Sequence, residues 1–523
     1  MNRFGRATAL VFGVCISLVL ASCGQAGVDS DPNAMNRDYE SVMENYCAET
    51  EDYDVVEFVT QTPFTGEIVQ RSDFFWQDER DLDWEADVRG FAIRALRQHP
   101  LLMDFDLSDH RFVHGMARDD YAAGVRAYEV LLRRAVARNG IEADGSIDDI
   151  RATLRSFFIQ KVNELVLEIP YLSDYEIIFE LAAIAAVLDD AHTRMGIPMG
   201  DVFPVELISL YDGIYLIGVP DRYGHALYGE LIAINDIEID EIIDRLAKIV
   251  AHENGYYLRH KITASVEEDP VGLRHYVVRP FLKELLVLNY LSVVDGSGIA
   301  TFTVKGIDSE IFDIQLSAVA RDAMSEDSFA LHEFGTLKHI NSEEPFWHEY
   351  FPNDNLIYVR IQTFEYLQAG TFSAAATMLR TELENRRNSQ KLDRLIVDLR
   401  QNAGGWAEWP TASEFLILSE TVEHVYVIID SGTFSRGVTT TSNIIRYLDN
   451  VTVLGEPSGQ VSVFFAGGSS VLPNSRMRYN ISQEMVMFSD SEDIAIRPDI
   501  FIPLTIHDII DNRDPVMDFV LGL

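Results

Sequence analysis

The sequence has almost no cysteine. Cys15, Cys23 and Cys47 are its only thiols, and all lie near the start, which excludes a disulfide framework in the body of the fold. Basic charge is also scarce: 42 Lys and Arg stand against 83 Asp and Glu, a formal charge of −41. Such a surface repels nucleic acid and anionic lipid headgroups and favours solubility. The apolar run from Ala9 to Leu20 is shorter than the roughly twenty residues that a spanning helix needs, which disfavours a plain transmembrane anchor. No internal repeat, low-complexity tract or Walker-type phosphate loop occurs, and no Lys follows Lys391. His110 and His114 lack the intervening glutamate of a zinc-peptidase helix, and His424 and His507 read as structural, so neither a metal nor a cofactor is expected.

What is present begins with Arg3 and Arg6, the apolar run and small residues, together a secretory signal over residues 1–23. Its end, Leu20-Ala21-Ser22-Cys23-Gly24, resembles a bacterial lipobox and predicts lipidation of Cys23. Gly24 after the cysteine implies the outer membrane in a double-membraned cell, with the chain facing the periplasm or exterior. Residues 24–50 are polar and acidic without periodicity, a flexible tether.

Residues 51–200 read as mostly helical. Tyr121, Val125, Tyr128 and Leu132 repeat at helical spacing, and Asn139-Gly140 supplies a stop. Ser173 to Glu176 is a capping box, and Ile177, Ile178, Leu181, Ile184 and Leu188 carry the next helix to Asp189-Asp190, which predicts His192 at its C-terminal end. Residues 201–325 shift to short strands, including 213–217, 228–236, 285–291 and 299–304, with a helix over 238–252. Residues 326–523 alternate strand and helix.

The remaining chain is organised around Leu392 to Ser435. Leu395, Ile396, Val397 and Leu399 form a buried strand that breaks at Asn402-Ala403-Gly404-Gly405; a helix over 411–420 and a second strand over 424–430 follow. Ser435 then falls just past a strand and at the start of a helix. A serine so placed is presented outward, with the next backbone N–H and the helix dipole beside any oxyanion, which suits acyl transfer.

The ordered motifs VDLRQNAGG, TFS, VLGEPSGQ and IRPDIFIP, with Asp190-Ala191-His192-Thr193 upstream, resemble the tail-specific (C-terminal processing) serine peptidase family, and the D-x-H-T segment resembles its tricorn-core branch. The resemblance implies an α/β fold: a crotonase/ClpP-like ββα catalytic core, a helical N-terminal domain and a PDZ-like β-rich insert that either takes a peptide by strand addition or props the core. It also implies Ser435 as nucleophile, with Gly404, Gly405 and the Arg436 N–H as oxyanion donors. Many members use a Lys some twenty-five residues after the serine; here that region reads Gly455-Glu456-Pro457-Ser458-Gly459-Gln460, which leaves His192 as base. At a helix C-terminus, the imidazole would titrate somewhat above about 6.5.

Glu492, six residues before Pro498-Asp499, matches the glutamate that orients the histidine in the tricorn-like branch. Ala495 replaces a glycine of that pattern, and Ala191 stands where tricorn has a bridging serine, so Asp190 and Asp493 remain alternatives. The resulting expectation is a lipid-anchored extracytoplasmic serine endopeptidase acting on polypeptides, without nucleic-acid partners. Its rivals are a catalytically inactive peptide- or lipophile-binding protein on the same fold, and a hydrolase of a non-peptide acyl substrate.

Overall fold

Capping chemistry and one-sided apolar spacing set the leading helices. The computed structural model describes residues 80–109, 113–115, 120–142, 144–198, 200–263, 280–321, 329–334, 346–364, 369–387, 390–405, 407–488 and 493–522. Helix α1, Arg80–Gln98, buries Trp84, Val88, Phe91 and Leu96, and strand β1, Val113–Gly115, follows it. Asp120 caps α2, Tyr121–Arg138, by accepting from Ala123 N at 3.0 Å. Reciprocal capping boxes open α3, Ile147–Glu168, at Ser146/Asp149, and α4, Asp174–Ala186, at Ser173/Glu176.

Helix α4 stops at Ala186, and the chain then turns through Asp189 at φ +50°. The helix thus ends before the Asp189-Asp190 that the apolar pattern predicts, and His192 lies beyond it and not at its C-terminal end. The spacing stays apolar through Leu188, but periodicity cannot register a left-handed turn at Asp189.

Strand β2, Arg194–Met195, leads to a sheet built from β3, Glu206–Leu210, β4, Gly213–Pro220, β5, Glu230–Ile234, β6, Ile237–Glu238, β7, Ile299–Lys305, β8, Ile311–Ser317, and β9, Phe329–Leu331. Its order is β3-β4-β5-β7-β8, with β6 on β5 and β9 on β4, and its pairings are antiparallel. Among the described residues, three α-helices lie between β6 and β7 in sequence: α5, Ile239–Leu246, α6, Gly255–Thr263, and α7, Leu285–Tyr290. The last is a correction, since the run 285–291 reads as a strand. Val287 and Leu288 are buried while Asn289 is exposed, a one-sided pattern that a short apolar run does not reveal.

The second sheet contains β10, Phe346–Phe351, β11, Leu356–Ile361, β12, Leu392–Asp398, β13, Val422–Ile429, and β14, Val451–Gly455. Helices α8, Ala369–Arg387, α9, Ala412–Thr421, and α10, Arg436–Tyr447, connect β11 to β14. A hairpin of β15, Val463–Val471, and β16, Arg478–Met487, pairs with β1 and β2 in a separate sheet, and β17, Ile500–Phe501, returns to the edge of the second. The order there is β10-β11-β12-β13-β14-β17, antiparallel only between β10 and β11.

This mixed α/β sheet is covered on both faces. Ile357, Val359, Leu395, Val397, Val425 and Val427 pack on one side; Leu356, Tyr358, Ile396, Ile428 and Leu454 pack on the other, with Val516 and Val520. Each fully buried aliphatic chain contributes roughly 1.5–3 kcal/mol, so this layer fixes the strand ends from which the loops below project. Among the described residues no helix is long and apolar enough to cross a membrane.

Candidate active site

Parallel strands β12 and β13 end at the same edge, and their following loops are tied together. Thr433 Oγ1 donates to Leu399 O at 2.8 Å, Gln401 N to Asp430 Oδ1 at 2.7 Å, and Phe434 N to Asn402 O at 2.8 Å. These bonds bring Ser435 against the glycine turn. Ser435 has φ +51° and ψ −114°, a conformation that costs an L residue roughly 1–3 kcal/mol and persists only where its surroundings enforce it.

Gly404, at φ +95°, faces the serine: a Cβ there would lie 2.6 Å from Ser435 Cβ, 3.0 Å from its Oγ and 3.0 Å from Arg436 N. The hydroxyl and the first amide of α10 thus share one small space, where the unpaired N–H groups of a helix start favour negative charge. Of the three expected oxyanion donors, Gly404 has its amide engaged, donating to Asn402 Oδ1 at 2.9 Å. Gly405 forms a bridge with Phe364.

His192 arrives from a remote part of the chain. Its Nε2 lies 3.1 Å from Ser435 Oγ, within hydrogen-bond reach. The imidazole stacks on Phe434 at 4.7 Å and on Phe464 at 5.5 Å, and Tyr257 of α6 stacks on Phe434 at 4.3 Å. Burial pushes the His192 pKa down to about 4, with Arg194 and Lys261 adding to the fall and Asp190 opposing it. The expected upward shift is overturned: the ring does not sit on a helix end, and desolvation between two phenylalanines outweighs the nearby carboxylate.

Of the acids considered for orienting His192, Glu492 lies outside the described residues. Asp493 is exposed and lies 4.0 Å from Arg497. Asp190 is buried, but its Oδ1 accepts from His192 N at 3.0 Å and its Oδ2 is 3.2 Å from His99 Nε2. Burial works against its charge, yet the hydrogen bond and charge of His99, with His192 beyond, hold Asp190 down at about 2. Its Oδ1 is 3.9 Å from His192 Nδ1, too far for a hydrogen bond, so Asp190 pins the backbone of His192 and leaves the ring to other groups. Cys23 also lies outside the described residues.

Two residues that sequence reasoning missed complete the site. Gln460 accepts from Ser435 N at 2.8 Å, donates from Nε2 to Glu253 Oε1 at 2.7 Å, and brings the same nitrogen 3.3 Å from His192 Nδ1. Its loop is held by Gly459 N on Thr433 O at 3.0 Å and Ser458 Oγ on Gln460 O at 2.7 Å. Glu253 sits between α5 and α6, next to Asn254, whose side chain donates to Ile494 O at 2.7 Å. Burial pushes the Glu253 carboxyl up to about 8; Arg134 opposes this, and Asp190 and Asp189 add to it. Gln460 does carry a signal: it stands twenty-five residues past the serine, where many members of the resembled family have a lysine. No sequence signal marks Glu253.

Asp190, His192 and Glu253 each offer an atom within 4.8 Å of the others. The Gln460 amide already spans Glu253 and His192, while Arg134 adds positive charge nearby. The arrangement therefore suits proton placement better than a cation.

No protein-family model matches the chain, and no curated protein sequence matches it. Among solved structures, mature CPAF is similar at 11% identity over 76% of this chain and 96% of its own, with a TM-score of 0.45. The photosystem II D1 C-terminal processing protease is similar at 12% identity over 72% and 93%, with a TM-score of 0.31. The tricorn protease is similar at 10% identity over 76% of this chain and 36% of its own, with a TM-score of 0.32. Two of these three are named as proteases.

Proposed function

We propose that this chain is a serine endopeptidase of the tail-specific, tricorn-like kind, held at the cell envelope by a lipid on Cys23. The observation that carries the reading is the 3.1 Å contact between Ser435 Oγ and His192 Nε2, made by a serine strained at a strand-to-helix turn. In this reading residues 326–523 are a crotonase/ClpP-like core, supported by the strand–helix alternation around β11 to β14. Residues 201–325 are a PDZ-like insert, and 51–200 a helical domain. The signal and lipobox at the N-terminus support the anchor, and the acidic surface suits an extracytoplasmic, nucleic-acid-free setting.

Ser435 Oγ attacks the scissile carbonyl carbon while its proton passes to His192 Nε2. The oxyanion is met by the Arg436 amide and by the glycine turn at Gly405; losing one such donor costs about 10²–10³ in rate. His192 returns the proton to the departing amine, and then activates the water that cleaves the acyl-enzyme. A fluorophosphonate probe should label Ser435, as located by peptide mass spectrometry, and Ser435→Ala should lose both labelling and peptide turnover. Labelling without turnover of any peptide would favour a non-peptide acyl substrate.

A further inference from the structure

We propose that Gln460 is a positioning residue that holds neutral His192 with its proton on Nε2, so that the resting imidazole donates to Ser435 Oγ, and that Glu253 locks Gln460 in this sense. The inference rests on Ser435 and His192 acting as nucleophile and base.

Ser435 N is a backbone N–H, so the Gln460 atom 2.8 Å from it must be the carboxamide oxygen. That places the NH₂ on the other side, where Glu253 Oε1 accepts one hydrogen at 2.7 Å. A carboxyl oxygen accepts whether or not its group carries a proton. The second hydrogen faces His192 Nδ1 at 3.3 Å. Two N–H groups cannot share that line, so Nδ1 presents its lone pair and the ring proton resides on Nε2. All three polar positions of the carboxamide are then satisfied.

The groups packed around Nδ1 do not reverse this assignment. Asp190 stands 3.9 Å away with its oxygens on His192 N and His99. Arg134 engages Asp189, and Lys261 Nζ donates to Ala251 O at 3.2 Å. Proton transfer from Ser435 requires a bare Nε2 and therefore an acceptor at Nδ1. The resting site is restrained until the Gln460 amide turns or leaves, and the Glu253 contact opposes that turn. In a serine protease triad, exchanging the orienting acid for an amide lowers kcat about 10⁴-fold through the same wrong tautomer.

The test uses the full chain with ¹⁵N-labelled histidine. Nitrogen NMR near about pH 7, with His192 identified by its loss in His192→Gln, should show the proton on Nε2 in the wild type; a proton on Nδ1 would overturn the proposal. Gln460→Glu keeps the acceptor for Ser435 N and replaces the donor at Nδ1 with an acceptor. It should move the proton to Nδ1 and raise kcat on a peptide by at least about tenfold, with KM little changed. A variant no faster than the wild type would equally overturn it, since a merely structural Gln460 predicts loss or no change. Absence of Ser435 labelling in both proteins would reject the peptidase reading instead, while the nitrogen spectrum still decides the tautomer.

Discussion

A Cβ on Gly404 would stand 2.6 Å from Ser435 Cβ, closer than two carbon atoms pack, and Gly404 holds φ +95°, which L side chains rarely adopt. Neither conflict can be relieved by a flexible side-chain tip. Gly404→Ala should therefore displace the serine by a fraction of an ångström or more and lower kcat/KM about 10²-fold. Gly468→Ala, at an exposed position with nothing within 4 Å of the added carbon, is the control. Steady-state kinetics on both variants checks this, and equal activity of the two would contradict the close approach.

Local pattern made part of this site legible. Leu395 to Leu399, the glycine turn and the run into Ser435 form one continuous strand–turn–helix sequence, so their order could be read without tertiary knowledge. His192 drew attention through Asp190 and Thr193 beside it, and the fold brings it to Ser435 across 243 residues. Glu253 and Gln460 meet across 207 residues, and nothing near Glu253 distinguishes it from the many other acids. The pKa direction of His192 is hidden in the sequence for a related reason: its stacking partners Phe434 and Phe464 come together only in the folded chain.

If Cys23 is acylated, the mature chain begins there and partitions with membranes, each buried CH₂ contributing about 0.8 kcal/mol. Mass spectrometry of detergent-extracted protein should show a diacyl or triacyl cysteine, and Cys23→Ser should shift the chain to the soluble fraction. A soluble wild-type chain cut elsewhere would remove the anchor.

Glu253 makes stability depend on pH in a defined direction. Its carboxyl titrates at about 8 in the fold against 4.5 as reference, so between those values the folded state binds the proton more tightly than the unfolded one. The stability linked to it is fully present below about 4.5 and is lost as pH rises through about 8. Glu253→Gln removes this titration. In urea unfolding at a series of pH values, the variant should gain on the wild type progressively across that window. Parallel curves would show that the carboxyl is already ionised in the fold.

The catalytic pH profile should follow the buried imidazole. His192 is pushed from 6.5 to about 4, so it stays unprotonated well below neutrality, and the acid limb of kcat/KM should lie clearly below 6.5. The stability sign agrees: a histidine with a depressed folded pKa binds protons less readily folded than unfolded, so its contribution falls as pH drops from 6.5 through about 4. Ser435→Ala and His192→Ala should each remove turnover to a similar extent, and the double variant should lose little more, because nucleophile and base act as one unit. Lys391→Ala, remote in sequence from both, should keep the wild-type rate and limb. Rates measured from about pH 4 to 9 on wild type and variants decide the matter. A limb above about 7, or full activity in His192→Ala, would exclude the buried imidazole as the base.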